Sequence, residues 1–168
     1  MGWLSRLLHY VPAEEREGLS LEPPCWEVSC PEDFGAFLRA LPDLAPAGSI
    51  LYLEGHPAAD VSSYVEQRAP RSITKLAVGT IWPRPKCLHM LITRENVAGL
   101  AELEERHALP EIAAHVHVYN KNQVLLQWYD AGSDPLAISK HLPEQDVRDF
   151  CARLGIRMEE GSRLPPRG

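Results

Sequence analysis

Ala114-His-Val-His-Val-Tyr-Asn-Lys-Asn-Gln-Val-Leu-Leu-Gln-Trp-Tyr129 carries the clearest hairpin signal in the chain. Two runs of β-branched and aromatic residues flank the polar turn Asn120-Lys-Asn-Gln123. In the simplest register Tyr119, His117 and His115 oppose Val124, Leu126 and Trp128. Side chains two apart in a strand share a face, so His115 and His117 project together, with about 7 Å between their Cα atoms. Pro135-Leu-Ala-Ile-Ser139 extends the hairpin into an antiparallel meander.

Upstream of the hairpin, strands alternate with helices. Cys25-Trp-Glu-Val-Ser29 reads as a short strand. Pro31, Glu32 and Asp33 suit the first turn of a helix with the stripe Phe34, Phe37, Leu38 and Leu41, which Pro42 is expected to end. Ser49-Ile-Leu-Tyr-Leu-Glu54 is an apolar strand between glycines, and Pro57 opens a helix with Val61, Tyr64 and Val65 on its inner side. Residues 72–82 and 86–92 are β-type and are joined by Pro83-Arg-Pro85. Thr93 caps a helix carrying Val97, Leu100 and Leu103. Downstream, Pro143 opens a last helix with Val147, Phe150, Cys151 and Leu154, and Gly155 follows it.

Strand–helix alternation followed by a hairpin predicts an α/β fold. The expected architecture is a single mixed sheet with helices packed on it. Parallel βαβ units form the N-terminal half and the antiparallel hairpin and meander form the C-terminal half. Residues 25–158 are expected to be one domain. Before it, residues 1–24 read as an amphipathic helix (Trp3, Leu4, Leu7, Leu8, Val11) and an acidic connector. Residues 159–168 read as a mobile tail.

The composition is that of a globular chain: of 168 residues, 45% are hydrophobic and 24% charged. A formal charge of −6 argues against a general nucleic-acid binder. Cys25, Cys30, Cys87 and Cys151 form no CxxC pair, which predicts thiols in a reducing compartment. No run reaches the ~18 apolar residues of a membrane span and no signal peptide is legible, so a cytoplasmic location is expected. Arginine exceeds lysine 13 to 4, as in GC-rich, typically bacterial, genomes.

Three features bear on chemistry. Residues 69–94 hold Arg71, Lys75, Arg84, Lys86 and Arg94 and no acid, so this segment carries +5 and the remainder −11. With Trp82 in the stiff Trp82-Pro-Arg-Pro-Lys86 loop, these six residues form a candidate surface for a protein or anionic partner. Nucleic acid is a less favoured form of that partner, because no RNA- or DNA-binding motif is present. The second feature is the histidine set. His89, on another predicted strand, could join His115 and His117 around a divalent transition metal, with Glu54, Asp60 or Glu111 as third ligand. No HExxH motif supports this, and no cofactor is expected. The third is Glu54-Gly-His-Pro57, where a buried strand meets a helix; Glu54 and His56 are weak candidates for an acid–base pair beside a small-molecule pocket.

The resulting expectation is a non-catalytic binding or regulatory protein with its contact surface around residues 69–94. The alternatives are a metal-assisted hydrolase using the histidines, or a small-molecule sensor with a pocket at Glu54–His56.

Overall fold

A computed structural model describes residues 17–80 and 82–159. The predicted helix at 2–11 and most of the predicted tail lie outside the described residues. Along the chain run β1 (Cys25–Val28), α1 (Phe34–Leu44), β2 (Ile50–Gly55), α2 (Ala59–Glu66), β3 (Lys86–Leu91) and α3 (Arg94–Glu104). A 3-10 turn (Leu109–Glu111) leads into β4 (His115–Asn120), β5 (Gln123–Trp128), β6 (Leu136–Ser139), α4 (Glu144–Leu154) and β7 (Met158–Glu159).

Among the described residues, seven strands form one sheet in the order β3-β2-β4-β5-β6-β1-β7. Every ladder in it is antiparallel, which corrects the expectation of parallel units. The crossover helices are present, but α1 and α3 join strands that are not neighbours, and the strand after α2, β3, returns antiparallel to its neighbour β2. β1 and β2 run in the same direction with β4, β5 and β6 between them, and β3 and β4 flank β2. In β1–α1–β2 and β3–α3–β4 the second strand runs in the same direction as the first. Which slot that strand takes depends on the rest of the sheet, and here the meander fills the slots between β2 and β1.

The helices pack on one sheet face. Leu51 and Leu53, Leu88 and Met90, Val116 and Val118, Leu126 and Trp128, and Leu136 and Ile138 alternate onto it. Against them lie Phe37, Leu38 and Leu41 of α1, Val97 and Leu100 of α3, and Val147 and Phe150 of α4. Phe34, Phe37 and Phe150 cluster with Trp128, whose ring centroid lies 5.0 Å from that of Phe37. The Trp128 indole N–H is satisfied by the Asp134 carbonyl at 2.8 Å.

Local signals explain the helix ends. Asp33 accepts the Ala36 N–H at 2.8 Å and Thr93 accepts the Asn96 N–H at 3.0 Å, each at an N-cap. Gly155 takes a left-handed conformation (φ 65°) after α4. α1 continues through Pro42 to Leu44, where an end at Pro42 was expected. The proline removes one N–H near the end of the helix, and burial of Leu41 and Leu44 carries the chain one turn further.

Two corrections concern strands. In the hairpin, Tyr119 pairs with Val124 as expected, but an irregularity between Val118 and Tyr119 then shifts the register. His117 therefore opposes Gln127, and Leu126 opposes Val118. One extra residue moves Leu126 and Trp128 to the helix face and leaves the histidines on the other. The described residues of the 72–82 stretch do not form the expected strand. They make a parallel bridge, Leu19 to Leu76, with bonds from Leu19 N–H to the Lys75 carbonyl and from Ala77 N–H to the Leu19 carbonyl. This irregular strap, together with residues 19–21, covers part of the second face. There Leu21 and Leu76 are buried against Ile50, Tyr52, Tyr119 and Val124.

Candidate functional site beneath the strap

Strand register places polar side chains in rungs across the second face. One rung runs His89, Tyr52, His117, Gln127 through β3, β2, β4 and β5. The next runs Cys87, Glu54, His115. Tyr52, Glu54, His115, His117 and Gln127 lie on interior strands and His89 and Cys87 on the edge strand β3; most are buried although the face is polar, and Cys87 is exposed.

Glu54 is fully buried and heavily bonded. Its carboxylate accepts the backbone N–H groups of Gly79 and Thr80 on the strap and the Tyr52 hydroxyl at 2.9 Å. His115 Nε2 stands 4.0 Å away. A buried carboxylate requires such partners. Gly79 permits the close approach, because a Cβ there would lie 2.7 Å from the Tyr129 ring and 3.0 Å from the His115 ring. Burial, with the Glu54 charge beside it, pushes the Tyr52 phenol well above its ordinary range.

Backbone amides fix two histidines. His115 Nδ1 accepts the Asp130 N–H at 2.9 Å and His117 Nδ1 accepts the Trp128 N–H at 3.2 Å, so each neutral ring carries its hydrogen on Nε2. The His117 ring stacks parallel to Tyr52 (centroids 5.4 Å apart, 5° between planes), and its Nε2 is buried with no hydrogen-bond partner among the described residues. Burial, helped by the neighbouring His115, pushes the His117 pKa down to about 3, and burial alone takes His89 to about 4. His89 Nδ1 lies 2.8 Å from the Tyr119 hydroxyl.

The predicted site residues separate. His115 and His117 do share a face, but Tyr52 stands between His117 and His89. Among the described residues no three His, Cys, Asp or Glu side chains are grouped so as to hold a metal ion. Asp60 and Glu111 meet His107 instead, at 2.9 and 3.8 Å. Glu54 is enclosed while His56 is exposed, so the expected Glu54–His56 pair is replaced by Glu54 with Tyr52 and the strap.

The basic segment also divides. Lys75 and Arg84 line a cleft of about 640 Å³ between the strap and the β3 edge of the sheet. Tyr52, Cys87 and His89 form its sheet side, and Ile73, Leu76, Val78 and Pro85 supply apolar wall. Arg71 is exposed, and so is Trp82 at 83%. Lys86 pairs with Glu66 of α2 at 3.8 Å. Arg94 lies among the helices, where it and Arg153 both bond Asp43, and it lines a separate hollow of about 190 Å³ with Arg39, Val97 and Arg153.

Sequence reasoning missed Tyr52, Cys87, Tyr119 and the Gly79–Thr80 amides. Tyr52 and Glu54 alternate along a strand as His115 and His117 do, so both pairs were visible. Their adjacency follows from strand order, which spacing does not encode. Comparison of the chain with family models, curated proteins and solved structures finds no match.

Proposed function

We propose that this chain is a non-catalytic binding protein and that the cleft beneath the strap is its small-molecule site. The observation that carries this reading is the cleft itself. Its roughly 640 Å³ falls in the range of organic-ligand pockets, with apolar walls and a few convergent polar groups. Three of the groups suited to acid–base work are already committed elsewhere. Glu54 holds the strap, while His115 and His117 each hold an amide of the segment beginning at Trp128. None of the three lines the cleft. The hydrolase alternative has no ligand set to support it among the described residues.

A second reading keeps the outer surface of the strap as a contact for a larger partner. It rests on the exposure of Ile73 (60%) and Trp82 (83%) beside Arg71 and Arg84.

A thermal-shift screen of small organic compounds and oligonucleotides separates the two. Native-state binding at 100 times the dissociation constant adds about 2.7 kcal/mol. Under the cleft reading, stabilisation by a small compound disappears in Val78→Trp, which fills the space, and survives Trp82→Ala. Stabilisation by oligonucleotides alone, lost in Trp82→Ala and retained in Val78→Trp, would replace the cleft with the outer surface.

A further inference from the structure

Resting on the cleft as the ligand site, we infer that its ligand is a short peptide, bound in extended conformation with its backbone paired to the strap at Leu76. The inference comes from the direction of the strap's backbone groups. The bridge to Leu19 uses the Lys75 carbonyl and the Ala77 N–H, which therefore lie on one edge of the strap. Along an extended chain successive residues turn their N–H and C=O groups to opposite edges, so those of Leu76 point away from Leu19. Neither group has a hydrogen-bond partner among the described residues, and Leu76 lines the cleft. A donor and an acceptor side by side on one edge are the template on which a further strand pairs.

The order of the covering segments shows what this edge faces. Residues 19–21 reach β5, where the Leu21 N–H bonds the Gln127 side chain at 2.9 Å. The strap lies over β4 and β2, with Thr74 donating to the Tyr119 hydroxyl and Gly79 and Thr80 to Glu54. Its side away from Leu19 therefore faces β3, whose Cys87 and His89 form part of the cleft's sheet side. A peptide laid along Leu76 would be the third extended segment of this cover and would close it over β3. It would exchange N–H and C=O bonds with Leu76, as in strand addition to an exposed edge, between the apolar walls of Ile73, Val78 and Pro85. A hydrocarbon ligand would leave both backbone groups unmatched, and a ligand without a donor would leave the carbonyl so.

A pool of capped, uncharged pentapeptides built from Val, Leu, Ser and Thr supplies the probes, titrated into the full chain and followed by amide NMR. The tightest probe peptide, at saturation, should slow exchange of the Leu76 amide at least about tenfold. Its ester analogue, in which oxygen replaces each peptide N–H, should bind about tenfold weaker. Val78→Trp should abolish binding of both, and Lys86→Gln, outside the cleft, should alter neither. Equal binding of peptide and ester, or binding that leaves Leu76 exchange unchanged, with the signal lost in Val78→Trp, would overturn the backbone pairing and leave the cleft standing. So would a pool in which no peptide binds while other organic compounds do. Protection of Leu76 that rises with protein concentration in the absence of peptide would give the edge to a second copy of the chain and overturn the assignment. Probe binding that Val78→Trp does not touch, or no binding by any compound, would instead overturn the cleft, and with it this inference.

Discussion

The two faces of this sheet are built from the same strands and are closed by opposite means. The helix face is covered by α1, α3 and α4, and its interior is hydrocarbon and aromatic ring. The strap face is covered by chain without regular structure, and its interior holds Tyr52, Glu54, His89, His115 and His117. Helices satisfy their own backbone groups, so a helical cover asks only for apolar contact beneath it. The strap has backbone groups to satisfy, and Gly79 and Thr80 find their acceptor in Glu54. The polar face thus serves as the hydrogen-bonding partner of its own cover, and an incomplete seal at the β3 edge leaves the cleft.

The largest expected effect lies on the helix face. Trp128→Ala removes a fully buried ring that contacts Phe34 and Phe37 and should cost about 3–5 kcal/mol in denaturant unfolding, with all probes reporting one transition. Removing Glu54 should be smaller and local. Glu54→Ala leaves the Gly79 and Thr80 amides and the Tyr52 hydroxyl without their acceptor, at about 1–3 kcal/mol for a buried group so stranded. Amide exchange of residues 74–80 should accelerate well before that of β4. If Glu54→Ala instead melts both faces together, the strap is part of one cooperative core and the contrast between the faces fails.

Acid separates the faces next. The folded-state pKa values of His89 and His117 lie below the ordinary 6.5, near 4 and 3. Between 6.5 and those values the unfolded chain binds protons that the folded chain refuses, so stability falls as pH falls through this window. Each histidine supplies a slope of up to about 1.4 kcal/mol per pH unit. His89→Gln, which keeps an acceptor for Tyr119, should flatten the curve between pH 6.5 and about 4. An unchanged slope would mean that His89 already protonates in the fold.

The legibility of these faces in the sequence was uneven, for physical reasons. Helices such as α3 announced themselves because cap and stripe, Thr93 with Val97 and Leu100, are local. The hairpin was visible for the same reason. Its register beyond Tyr119 was not, because a shift at Val118/Tyr119 offsets the pairing by one. Residues 72–82 carry strand-like side chains, yet a strand also needs a neighbour along its length, and among the described residues the strap's one bridge is to Leu19. Glu54 and the histidines were picked out as polar residues in apolar strands. Their convergence depends on β2 lying between β3 and β4, a long-range outcome. Arg94 was grouped with Arg84 because they are close in sequence, although the turn into α3 carries it to the helices.

That last separation yields the smallest effect and a direct check on it. Arg94 and Arg153 hold the Asp43 carboxyl below the usual carboxylate range, chiefly through the Arg94 hydrogen bond. All three side chains are largely exposed, so Arg94→Ala should barely change stability, and the small loss should vanish in high salt. The readable consequence is chemical: in an NMR titration, Asp43 should move up toward the ordinary value in Arg94→Ala, while probe binding in the cleft stays as in the parent chain. Loss of probe binding in this variant would show that Arg94 and Arg84 act on one ligand, and that the two faces are not independent.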